Sequence, residues 1–201
     1  MKRDAAPLVI ACGALATELR AVLAAHGLDE IEVRYLPANL HNRPERIVPA
    51  LRHVLDEAGE GDVFVAYADC GTGGALDAYL AQHPGIGRLP GAHCYEFFAG
   101  SERFAALHEA EPGTFYLTDF LAKHFDVLVW RGLGLDRHPS LLSTYFGNYR
   151  RLVLLSQSDD PIVLATAVAA AERLGLEFDH EHIGVAPFAE AVAVGLRRKV
   201  S

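Results

Sequence analysis

The feature that most constrains this chain is a repeated alternation of short apolar runs with helical segments. "PLVIACG" is wholly apolar and ends at Cys12 and Gly13, and "ALATELRAVLAAHG" follows with helical spacing and a terminal glycine at Gly27. "IEVRYLP" alternates apolar and charged residues as a second strand, and "NRPERIVPALRHVLDEAGEG" gives a second helix that stops at glycine. "DVFVAYADCG" is apolar enough to lie centrally in a parallel sheet, and "GALDAYLAQHPG" is the third helix. "GIGRLPGAHCY" holds a weaker fourth strand, with "SERFAALHEAEPG" and "FLAKHF" as helices after it. "DVLVWRGLG" and "RRLVLLSQ" read as two more strands. The second leads into "DDPIVLATAVAAAERLG", a helix capped by Asp159 or Asp160 with Pro161 in its first turn, and "LEFDHEHIG" closes the series as an edge strand. This alternation predicts a doubly wound, mostly parallel α/β sheet with helices on both faces, a Rossmann-like three-layer arrangement. No linker or low-complexity tract interrupts it, so residues 1–201 are expected to form a single α/β domain.

Composition narrows the function classes. Hydrophobic residues at 51% and charged residues at 22% describe an ordinary globular chain. A net charge of −8 argues against nucleic-acid or anionic-membrane partners, and the basic "RRKV" near the C-terminus is too short to change that. No apolar run approaches the roughly 20 residues that cross a bilayer. The opening "MKRDAAPLVIACGALATELR" is unlike a secretory signal, because its apolar stretch is one strand long and leads into a charged helix. The expected location is the cytoplasm, where the three cysteines stay reduced.

The placement of those cysteines carries the chemistry. In open parallel sheets ligands gather beyond the carboxyl ends of the strands, and Cys12 and Cys70 both lie at such ends. Cys94 follows the fourth strand, beside His93. Thiolates with an imidazole or carboxylate make a tetrahedral zinc or iron site, and a catalytic version keeps one position open. The spacings of 58 and 24 residues contain no CxxC pair, so topology alone supports ligation. Cys12 and Cys70 as small buried hydrophobes at tight turns is an equal reading of the pattern. Three glycines among the four residues after Cys70, "GTGG", exceed what a turn needs and make room for something held beside the thiol.

Other polar clusters sit on the same side. "LPANLHNRPERI" places Asn39, His41, Asn42, Arg43 and Arg46 after the second strand; the arginines suit a carboxylate or phosphate, and a helix start with Asn42 as cap and Pro44 in the first turn is the somewhat better reading. "DCGTGG" lacks the spacing and the Lys-Ser/Thr of a P-loop. "GLGLDRHP" and "YFGNYRR" supply a pocket wall around Tyr145 and Tyr149, or a set of structural turns. His180 and His182 face one side of a strand, as a metal pair does, although a solvated edge is the better account of them. No GxSxG elbow is present.

"ACGALATEL", "LPANLHNRPERI", "DCGTGGALD", "PGAHCYEFFAG", "GTFYLTDFLAKHFD", "GLGLDRHP" and "YFGNYRRLVLLSQSDDP" resemble, in order, the bacterial and archaeal family known as domain of unknown function 1638, over roughly residues 8 to 184. The resemblance implies little chemistry. Members sometimes sit among genes for corrinoid-dependent methyl transfer, a context that does not identify a reaction. All three cysteines, His41 and His93 fall inside the resembling motifs, which favours ligation over packing. The resulting expectation is a metal-binding protein acting on a small molecule, by methyl or acyl transfer. Zn²⁺ would be held by Cys12, Cys70 and Cys94, with His93 near the fourth position. Asp69, His41 and Glu96 are the expected catalytic groups, and Asn39, Arg43, Gly71, Thr72, Gly73 and Tyr149 the expected substrate-binding ones. An iron–sulfur cluster on the same cysteines is the first alternative, and a binding module for an anionic metabolite or cofactor the second. The apolar helices "IVLATAVAAAERLG" and "PFAEAVAVGLRR" serve a homodimer interface or a core equally well.

Overall fold

The structure, a computed structural model, describes residues 7–59 and 61–197; "MKRDAA" and the residues of "RRKV" after Arg197 lie outside them. The chain is a mostly parallel α/β protein, and its strands are shared between two parallel sheets. Contacts divide it into two units: one runs to Phe97 and resumes at Pro187, and the other is Phe98–Ala186.

In the first unit, β1 (Leu8–Cys12), β2 (Val33–Leu36), β3 (Val63–Ala66) and the two-residue β4 (Gly87–Arg88) are ordered β2-β1-β3-β4. All three pairings are parallel. Every residue of β3 is buried, as expected of a strand with neighbours on both sides. Helices α1 (Ala16–Ala25) and α2 (Ile47–Ala58) make the crossovers, and α3 (Ala75–Leu80) follows β3. α2 opens through a 3-10 turn at Pro44–Arg46 whose N-cap is Arg43, without a side-chain cap. Ile10, Leu36, Ile47, Leu51, Val65, Tyr67 and Leu76 form its core, and Cys12 and Cys70 pack against that core. α4 (Cys94–Ala99) and α9 (Ala186–Arg197) meet through Phe97 and Phe188, whose ring centroids are 5.3 Å apart. α9 also lays Gly195 against the ring of buried Phe64.

The chain from β2 crosses to the opposite side of β1 before forming β3. The winding direction therefore reverses between β1 and β3, and the crevice at such a switch point is where open α/β sheets bind ligands.

In the second unit, β5 (Thr114–Thr118), β6 (Arg151–Ser156) and β7 (Glu177–His182) are parallel in the order β5-β6-β7. α5 (Ser101–Ala110) precedes β5, α6 (Asp119–Lys123) follows it, α7 (Leu141–Phe146) precedes β6, and α8 (Pro161–Leu174) connects β6 to β7. Asp160 caps α8, its Oδ1 accepting from the Ile162 amide at 2.9 Å.

The sequence pattern misleads at one element and does not announce β5 or the short helices α4 and α7. "DVLVW", expected as a strand, is π-helical at Asp126–Trp130. Its buried Leu128 and Val129 continue a series begun by Leu121, Ala122 and Phe125, which is a helical period, so the run belongs to the helix before it. β5 had not been anticipated at all.

Candidate functional site: a thiol cluster at the switch point

Cys12 ends β1, Cys70 lies four residues past β3, and Cys94 opens α4. Two backbone bonds bring the last two segments together: the Asp69 amide donates to the Gly91 carbonyl at 3.1 Å and the Cys70 amide to that of Ala92 at 2.8 Å. Gly13 lets the segment after β2 approach Cys12, since a Cβ there would stand 3.0 Å from the Leu36 carbonyl oxygen.

The three thiols act on one another. Each residue keeps some exposed surface, and each thiol is nonetheless packed closely enough for its pKa to rise. Burial pushes Cys12 up, and bonds with the Ala14 backbone and Tyr67 return only part of that shift. Burial, then the Cys12 thiol, pushes Cys70 up to about 12. Burial, then Cys70 and Cys12, raises Cys94 well above its ordinary value. Tyr67, 2% exposed, faces the same place. Its hydroxyl is sealed from solvent with no partner at full hydrogen-bonding geometry, and burial, Cys12 and Cys70 together raise its pKa. Thiols that disfavour each other's ionisation, beside a buried tyrosine hydroxyl, are groups whose thiolate form a bound cation would favour. Among the described residues, no three His, Cys, Asp or Glu side chains already stand as a metal ligand set.

Cys70 has φ +50°, and no other non-glycine residue among those described has a positive φ. Gly71, Gly73 and Gly74 follow at +83°, +62° and +86°. The glycines expected to make room are used for this left-handed path. Asp69 organises it. Its Oδ1 accepts from the Thr72 hydroxyl and, at 2.9 Å, from the Gly74 amide, while Oδ2 accepts from the Gly73 amide at 3.0 Å. Both oxygens of a group expected to be catalytic are engaged in holding the Cys70 loop, and so are Thr72 and Gly73, two expected substrate contacts. Gly71 lies against Pro44.

Glu96 has a similar position. Its Oε2 accepts from the Ala92 amide at 3.0 Å, stapling the loop that carries Cys94. His41, in the 3-10 segment Ala38–Asn42, and His93 are electrostatic neighbours; burial first, then His93, lowers the His41 pKa, although the residue keeps exposed surface. The His93 ring centroid is 6.3 Å from that of Tyr95. Asn39 and Arg43 are exposed on the segment after β2. Tyr149 belongs to the second unit, where it packs on Phe115 and Phe146.

Two contributors were not singled out from the sequence. Tyr67 looked like one more apolar strand residue. Arg88 grips Asp77 through two bonds of 2.6 and 2.9 Å and donates to the carbonyls of Leu89 and Gly91, so it fixes the loop against which Asp69 and Cys70 bond. Asp77 lies eleven residues before it and the two carbonyls belong to an irregular loop, so no periodic pattern announces the set.

A family model described as "Protein of unknown function (DUF1638)" matches residues 35–192, more than half of the chain. Cys70, Cys94, His41 and His93 fall within the match, and Cys12 precedes it. No curated protein and no solved structure matches.

Proposed function

The chain belongs to the DUF1638 family, and from that premise we propose that it binds a thiophilic metal ion through Cys12, Cys70 and Cys94 and acts on a small molecule there. The observation that supports this reading is the convergence of three mutually perturbing thiols on the crevice between β1 and β3. Thiolate donors suit Zn²⁺, and a site with three protein ligands keeps a fourth position for water or substrate. When bound, the ion would supply Lewis acidity or a metal-bound thiolate, the chemistry of methyl and acyl transfer. The chain's own residues have separable tasks. Cys12, Cys70 and Cys94 hold the ion. Asp69 and Glu96 fix the two loops that carry Cys70 and Cys94. Tyr67 offers a buried hydroxyl beside Cys12, and His93 and His41 stand as the nitrogen bases of the site. The proposed setting is the cytoplasm, where reduced thiols remain available; among the described residues no helix is long and apolar enough to cross a membrane.

The test is elemental analysis and an absorption spectrum of anaerobically purified protein beside its Cys70→Ser variant, with circular dichroism as the check on folding. About one zinc per chain, colourless, and lost in a folded variant is the expected result. Iron with a broad violet band would assign the same cysteines to a cluster. No metal in the parent chain, before or after incubation with Zn²⁺ under reducing conditions, overturns the reading and leaves a binding module for an anionic metabolite.

A further inference from the structure

We propose that His180 and His182 form a second cation site, for a divalent transition metal that favours imidazole, built at the carboxyl end of the second sheet from residues the thiol cluster does not use. Both lie on one face of the edge strand β7, paired in register with Leu154 and Ser156 of β6. The Ser156 residue is 2% exposed, and its hydroxyl oxygen lies 2.9 Å from His180 Nε2 and 3.2 Å from His182 Nδ1. Two ring nitrogens from alternate strand positions thus converge on a single oxygen. A carboxylate is beside them, with Asp159 Oδ1 3.3 Å from His182 Nδ1.

One of these separations, the 3.3 Å between Asp159 Oδ1 and His182 Nδ1, joins two of the proposed donors and matches a ligand edge; the other two bring both ring nitrogens onto the Ser156 oxygen. Donors about 2.0–2.1 Å from a tetrahedral ion stand about 3.3 Å from one another. The donor set, two imidazoles and one carboxylate, suits Zn²⁺, Ni²⁺ or Cu²⁺ rather than Ca²⁺ or Mg²⁺. The side chain of Asp159 is 95% exposed, so little packing would oppose its turning inward as a third ligand, with water filling the remainder. The Ser156 hydroxyl holds the two rings side by side, and an arriving metal would take its place on the ring nitrogens. Two nearby charges are already matched, the Arg103 guanidinium being paired with Glu181 while also reaching the His182 carbonyl at 3.4 Å.

Co²⁺ is the probe that separates this site from the thiols, because thiolate-bound Co²⁺ has an intense near-ultraviolet charge-transfer band and imidazole-bound Co²⁺ has only weak visible bands. The unmodified chain is titrated under reducing conditions beside His180→Gln, His182→Gln and Asp159→Asn. The expected result is a component without the sulfur band whose affinity falls at least about tenfold in each histidine variant and less in Asp159→Asn. Asp159→Asn alters an exposed side chain and so reads the site even where a histidine variant is misfolded. Absence of a sulfur-free component in the parent chain overturns the proposal. So does equal Co²⁺ affinity in the parent and all three variants. Either outcome leaves the sulfur band to report on the thiols independently.

Discussion

Cys70 holds a backbone conformation that L-residues avoid, at a cost of about 1–2 kcal/mol. Such outliers persist where the surroundings enforce them, and here Asp69 on one side and the Ala92 carbonyl on the other do so. Glycine adopts this conformation freely. Metal-free Cys70→Gly should therefore be more stable than Cys70→Ser by about 1 kcal/mol in urea unfolding. Equal stabilities would mean that the loop relaxes when the thiol is absent. The sequence made the glycines and the thiol legible as neighbours, and their strand-end placement was readable from apolar runs alone. The structural task of Asp69 and Glu96 was not legible for a physical reason: a carboxylate beside glycines suits catalysis and backbone capping alike, and only the folded loop shows which amides reach it.

At the scale of elements, the strands flanked by clear helices were legible, because apolar runs bounded by glycine have few alternatives. β5 escaped notice because Thr114 and Thr118 frame only three apolar residues between two helical patterns. The "DVLVW" run misled because its window began at Asp126, which cut it from the helical period started at Leu121. α9 carries an element-scale prediction. A Cβ on Gly195 would lie 2.3 Å from the Phe64 ring, whose side chain is fully buried on β3. Alanine gains about 1 kcal/mol of helix propensity but overpacks by about 1–3 kcal/mol. The clash should win, and Gly195→Ala should unfold at lower urea with a net loss of about 1 kcal/mol; a stabilised variant would show that α9 shifts freely against the sheet.

For the molecule as a whole, the loop hydrogen bonds become a dependence of stability on pH. Burial works to raise the Asp69 pKa, but bonds from Thr72, Gly74 and Gly73, with the charge of Arg88, outweigh it and hold the group below its ordinary 3.8. Asp77 is lowered in the same sense through its bonds to Arg88, as is Asp160 through Lys123. A depressed folded-state value means stability that is complete above the unfolded value and lost as pH falls through the folded one. Between pH 7 and pH 3 the urea midpoint should fall further for the parent chain than for Asp69→Asn, which has no such proton to take up. Parallel declines would show that Asp69 contributes nothing to acid lability.

The first unit is discontinuous, and that has a consequence for synthesis on the ribosome. Residues 98–186 form one uninterrupted stretch, so every strand and helix of that unit is synthesised before the segment from Pro187 that completes the first unit. The thiol-bearing unit must wait, because Phe188, Val192 and Leu196, buried to 6% exposure or less, are translated after the whole of its neighbour. Until then the Phe64 ring lacks its Gly195 cover, and the nascent chain carries reduced cysteines on an incomplete core.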